Sequence, residues 1–164
     1  MKHLIAFLLT GCFMLTVSAQ TKWREVDLKI NGISSGTSYS TVIKKIGKPL
    51  KTKEDGYDEC GGGYLKILFY GGWEIKFLSD DKKRNYTVIS MNLTSPKWLI
   101  APDIKIGANI KDVRAKYGEP NSIVGSEDFD KDILDYVTKE HLGVVNFYFR
   151  NNKLIRVEMV ETLC

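Results

Sequence analysis

The chain has 164 residues, 43% hydrophobic and 27% charged, the balance of an ordinary soluble globular protein. Its formal net charge of +4 is mild, and acidic and basic residues are interspersed. That excludes the clustered basic stripe of a typical nucleic-acid binder.

The first twenty residues stand apart from the rest. Lys2 gives a positive start, Leu4 to Val17 runs without a charge, and Val17-Ser18-Ala19 places small residues before Gln20. This pattern predicts a signal peptide over 1–19, hence a periplasmic or secreted protein. The apolar run is short for a bilayer span, and no stop-transfer segment follows it. Leu9-Thr10-Gly11-Cys12 offers a rival, a bacterial lipobox with Cys12 lipidated, which would make the chain an outer-membrane lipoprotein. Against it, Phe13 to Val17 stays apolar where a polar tether is expected. Cleavage after Ala19 leaves two cysteines, Cys60 and Cys164. Their even number in an oxidising compartment predicts one disulfide that pins the C-terminus to the loop around Cys60.

Next comes a repeat. Gly36, Val42, Gly47 and Pro49 recur as Gly107, Val113, Gly118 and Pro120, each pair 71 positions apart. Each segment spells a short helix. Ser38 and Asn109 stand as N-caps, with Asp112 as a capping-box partner. Tyr39, Val42, Ile43 and Ile46 make an apolar stripe, as do Ile110, Val113 and Tyr117. Gly47 and Gly118 end the helices, and the prolines two residues later prevent continuation. After each proline the sequence predicts a polar, acidic loop and then three strands. These are Tyr64–Tyr70, Trp73–Leu78 and Tyr86–Leu93 in the first copy, and Ile133–Val137, Val144–Arg150 and Leu154–Val160 in the second. Gly71-Gly72 and Asn151-Asn152 are the hairpin turns. The expectation is an α+β protein of two tandem repeats, residues 20–95 and 96–164. Each is a short helical segment followed by a three-stranded antiparallel sheet with helices on one face, joined through Ser95-Pro96-Lys97-Trp98.

The spacing Gly-x5-Val-x4-Gly-x-Pro, followed by aromatic-rich strand pairs, resembles the SmpA/OmlA (BamE-like) lipoprotein domain. Its doubling is similar in layout to the β-lactamase inhibitor protein (BLIP-like) family. The resemblance runs from about Ile30 to Val160 and implies a non-catalytic scaffold that works by protein–protein contact at the cell envelope or outside the cell. The chain departs from the first group in having two units. The contact residues of the inhibitor group find no match in it, so inhibition of β-lactamase does not carry over.

Chemistry-bearing motifs are few. His141 beside Glu140 has no nucleophile motif near it. Gly61-Gly62-Gly63 leads into a strand, whereas a phosphate cradle needs a helix. Asp128, Asp130, Asp132 and Asp135 imitate the opening of a calcium loop, but Ile133 stands where glycine is needed and Lys139 where the bidentate Glu belongs. One histidine and two cysteines make a poor zinc set. Asn85-Tyr86-Thr87 and Asn92-Leu93-Thr94 fit the glycosylation pattern, but the signal and the resemblance both point to bacteria, where that pattern would carry no weight. The sequence therefore predicts no enzyme, no catalytic residue, no metal and no cofactor.

The candidate surface is the sheet face opposite the helices. If Leu65, Ile67, Phe69, Trp73, Ile75 and Phe77 fill the core, that face carries Tyr64, Lys66, Leu68, Tyr70, Glu74 and Lys76. The second copy adds Tyr148, Arg150, Arg156 and Glu158. Tyr64, Lys66, Tyr70, Lys76, Tyr148, Arg150 and Arg156 are the partner-binding candidates, because Tyr and Arg bury area and still hydrogen-bond. The function expected is an exported protein-binding module with a protein partner, such as an assembly factor, an inhibitor or an immunity-type protein. A small-ligand or cation-binding periplasmic protein is the alternative.

Overall fold

The structure, a computed structural model, describes residues 25–81, 84–100, 103–125, 131–139 and 143–162. Both helix signals are met: α1 spans Tyr39–Ile46 and α2 spans Ile110–Tyr117. The Ser38 side chain accepts from the Thr41 N–H, and Asn109 with Asp112 closes a full capping box. Gly47 and Gly118 end them at φ 91° and 82°, in the region that favours glycine.

The strands are β1 (Glu25–Val26), β2 (Lys51–Asp58), β3 (Gly63–Tyr70), β4 (Trp73–Ser79), β5 (Thr87–Leu93), β6 (Ser122–Gly125), β7 (Lys131–Thr138), β8 (Gly143–Arg150) and β9 (Lys153–Glu161). They form one sheet in the order β1-β7-β8-β9-β5-β4-β3-β2, with β6 paired to β7. β1 joins β7 in parallel and the other pairings are antiparallel, so the sheet is mixed.

This overturns the α+β expectation of two three-stranded units, each with helices on one face. Among the described residues the protein is mostly β, with nine strands in a single sheet and two helices of 8 residues each. Two physical reasons account for the difference. First, β5 and β9 pair with each other from Ser90↔Val160 to Leu93↔Val157, so neither is left as a free edge and the sheets merge. Second, the polar segments after Pro49 and Pro120, expected as loops, are the strands β2 and β6. The helices are too short to form a layer: each buries one side chain fully, Val42 or Val113. An extended arm with Leu28, Ile30 and Ile33, and the connector with Trp98, Ile100 and Ile104, complete that side of the core. Arm and connector bond to each other, Asn31 N–H to the Leu99 carbonyl at 2.8 Å, and Ile30 bridges to Ile100.

Register corrects the facing of β3. Residues opposite one another across an antiparallel pair share a face. Tyr70 stands opposite Trp73, Leu68 opposite Ile75 and Lys66 opposite Phe77. Lys66, Leu68 and Tyr70 therefore lie on the core side, and Leu65, Ile67 and Phe69 on the reverse side. Asn151 and Asn152 both take positive φ, 50° and 60°, as a two-residue turn between β8 and β9 needs. The core is aromatic. Trp98 packs on Trp73 with centroids 5.2 Å apart, and Tyr117 on Phe147 at 5.0 Å.

Candidate functional site

The helices, arm and connector all pack against the core side of the sheet. Among the described residues, the reverse face is left to strand side chains, and register arranges them in rows. The central row is polar and crosses six strands: Glu74 on β4, Asn92 on β5, Glu158 on β9, Asn146 on β8, Asp135 on β7 and Ser122 on β6. Beside it runs an apolar row of Val160, Val144 and Val137. Val144 and Val160, directly opposite each other, are 37% and 39% exposed. On the other flank stand Arg156, Tyr148 and Ile133.

The firmest contacts lie where two rows meet. The Arg156 guanidinium sits 4.1 Å from the Tyr148 ring centroid and donates to Glu158 Oε2 at 2.6 Å. The Tyr148 hydroxyl donates to the same oxygen at 2.7 Å. Burial, then the Glu158 carboxylate, push the Tyr148 hydroxyl above the usual tyrosine range, so it stays a donor at neutral pH. On the neighbouring strands, Ser122 donates to Asp135 at 3.1 Å. Asn92 Oδ1, Asp135 Oδ1 and Arg156 Nε are shielded from water and have no hydrogen-bond partner among the described residues. Three such atoms on one face are unusual, because a buried polar group normally finds a partner.

The predicted site residues separate. Tyr148 and Arg156 come together as described, Arg150 is exposed beside them, and half-buried Lys76 lies on the same face nearer the β2 edge. Tyr70 does not belong to this face. It is 5% exposed, packs on Trp73 and Trp98, and donates to the Gly47 carbonyl at 2.9 Å. Lys66 is also on the core side. It pairs with Glu54 at 3.2 Å, and its Nζ lies 4.2 Å from the Tyr86 ring centroid and 5.1 Å from that of Tyr39. Tyr64 packs against the core edge and meets the Tyr57 ring. These three are corrections, and all follow from the inverted face of β3. What sequence reasoning missed is the polar row: Asn92, Asn146, Asp135 and Ser122 are scattered in sequence, and only the hairpin registers align them.

Cys60, at the exposed turn between β2 and β3, is disulfide-bonded. Its expected partner Cys164 lies outside the described residues, as do Cys12, the predicted signal peptide, Glu140, His141, Asp128 and Asp130. Asp132 and Asp135 stand on opposite faces of β7, opposite Phe149 and Asn146 respectively. Among the described residues no group of three or more His, Cys, Asp or Glu side chains is placed to hold a metal ion, and no helix is long and apolar enough to cross a membrane.

No family model matches the chain, so the resemblance to the SmpA/OmlA (BamE-like) domain has no match behind it, and no curated protein matches either. Three solved structures share features of its shape. One is an extracellular protein containing an SCP domain from Bacillus anthracis, 13% identical, with 79% of this chain covered and a TM-score of 0.48. The chain spans 44% of that protein's length. Another is a DUF4309 family protein from Bacillus subtilis, 10% identical over 76% of this chain and 78% of that one, TM-score 0.43. The third, from Streptococcus mutans, is described as a candidate β-lactamase inhibitor protein. It is 19% identical over 79% of this chain and 85% of that one, TM-score 0.30. At these levels of similarity none of them assigns the chain to a family or lends it a function.

Proposed function

We propose that this chain is an exported, non-enzymatic protein-binding module, periplasmic or secreted, that meets its partner through the reverse face of the sheet. The observation carrying this reading is the locked Tyr148–Arg156–Glu158 group on one side of a polar row whose other side is bordered by an exposed apolar row. Such a surface combines what a protein contact needs. The aromatic and guanidinium groups are held in place, so little side-chain freedom is lost on docking. The valines supply apolar area directly beside the polar row. The proposal includes a two-part origin of the mature chain, 20–95 and 96–164, with the partner-binding surface weighted to the second part.

The test is to express the mature chain from Gln20 with an affinity tag in a related bacterium and identify what is crosslinked to it. The wild type should retain one stoichiometric exported partner, and Tyr148→Ala with Arg156→Ala should lose it. A control on the opposite side, Lys44→Ala with Lys111→Ala, should keep it. If the reverse-face variant binds as well as wild type, this face is not the contact surface.

A further inference from the structure

Where the arm crosses the ends of β7 and β9, the chain does not close flush. A cavity of about 300 Å³ remains between them, at the small end of the range for small-molecule sites. Part of its lining is apolar, from Val26, Leu28 and Met159, and the polar part includes Ser35, Thr138 and Glu161. These residues come from three separate stretches of sequence, and no motif announces them.

Among the described residues the charge balance of the lining is negative. Glu161 accepts a hydrogen bond from the Ser35 hydroxyl and has no ion-pair partner among the described residues. Asp27 is a second carboxylate, already paired with Lys29 at 2.7 Å. Lys139, the one lysine among the described lining residues, is exposed. An anion would meet two carboxylates there, and a purely apolar molecule would strand the polar wall. Thr138 is buried, and its hydroxyl has no partner among the described residues. Such a deficit is one that a bound ligand repairs.

We propose that this cavity binds a small primary ammonium compound with a short apolar body, its ammonium group held by the Glu161 carboxylate. The Thr138 hydroxyl supplies the second polar contact, and Met159, Val26 and Leu28 receive the apolar part. The geometry is independent of the reverse face, so either reading can fail alone. Burial holds the Glu161 carboxyl above its ordinary range, and a cation beside it would reverse that shift. Binding should therefore expel a proton from Glu161, and affinity should rise as pH rises through the titration of that carboxyl.

Isoamylamine and its uncharged counterpart isoamyl alcohol are the probes, titrated into the mature chain by amide NMR and calorimetry. The amine should give saturable shifts confined to Ser34–Gly36, Thr138–Lys139 and Met159–Glu161, and bind about tenfold more tightly than the alcohol. Calorimetry near the Glu161 titration, in two buffers of different ionisation enthalpy, should report proton release with the amine alone. Glu161→Gln, checked for an intact NMR fingerprint, should erase both the preference and the proton release. Thr138→Val should weaken the amine severalfold while the proton release persists. Equal affinity for amine and alcohol, no saturable shifts, or an unaltered preference in Glu161→Gln would each overturn the proposal.

Discussion

Two tyrosines do the same work on two helices. Tyr70 donates to the Gly47 carbonyl at 2.9 Å, and Tyr136 donates to the Gly118 carbonyl at 2.8 Å, tying each helix C-terminus to the sheet. The last carbonyls of a helix lack partners within it, so these hydroxyls satisfy groups that the helix itself leaves open. Tyr70→Phe and Tyr136→Phe should each lower unfolding free energy by about 1 kcal/mol, read as a reduced urea midpoint at unchanged slope. Glu161 gives a pH prediction. Its carboxyl is raised above 4.5 by burial, so the folded state binds more protons than the unfolded state just above that value. The contribution of this group to stability is then greatest below about pH 4.5 and is lost as pH rises through the raised value. Thermal melts across that window should show this decline in the wild type and a smaller one in Glu161→Gln.

At the scale of elements, the sequence was legible where local chemistry decides and illegible where register decides. The caps, glycines and stripes of Tyr39–Ile46 and Ile110–Tyr117 announce their helices because all those signals lie within one short window. The stretch Tyr64–Tyr70 is apolar or aromatic on both sides of its alternation, so parity alone could not choose its inner face. The two-residue turn at Gly71-Gly72 settles it by setting Tyr70 opposite Trp73. β2 was hidden differently. It reads Lys-Thr-Lys-Glu-Asp-Gly-Tyr-Asp, with no apolar alternation, because it pairs on one side only and its residues are mostly exposed. Its charges suit an edge, since lysines and the irregularity between Glu54 and Tyr57, where Gly56 sits at φ 81°, discourage another chain from adding on. Lys51→Val with Lys53→Val should leave the fold intact and promote self-association, visible by light scattering as a mass that rises with concentration. If the double variant remains monomeric, the lysines are not what guards this edge.

Over the whole molecule, what the sequence foretold in pieces becomes one body through a pairing it did not display. Residues near 90 and 160 meet in β5 and β9, so neither half owns a complete sheet. The reverse-face site depends on that join: its polar row passes from Asn92 to Glu158 across it, which is why the row could not be found in either half alone. The same topology bears on the disulfide of Cys60. Its turn and the end of β9 leave the sheet at the same end, because Ser79 pairs near Gly63, Thr87 near Leu78 and Val160 with Ser90. Three strand spacings of about 4.8 Å separate β9 from β3. We therefore expect Cys60 to pair with Cys164, shown by one linked peptide in a non-reducing digest of the mature chain. Reduction should then lower stability by up to about 4–5 kcal/mol, the chain-entropy value for so long a loop, measured as a drop in melting temperature.

The position of the last strand has a consequence for how the protein comes into being. β9 is inserted between β5 and β8, in the middle of the sheet, yet it is the final element of the described chain. A polypeptide emerging N-terminus first must hold β5 with a bare, adhesive border until some sixty further residues have followed. Everything before that moment is an intermediate with its central slot vacant, and closing it requires a contact between remote parts of the chain. Folding should accordingly wait until β9 has been made. A ribosome stalled shortly before Lys153 would leave a product that other strands can invade.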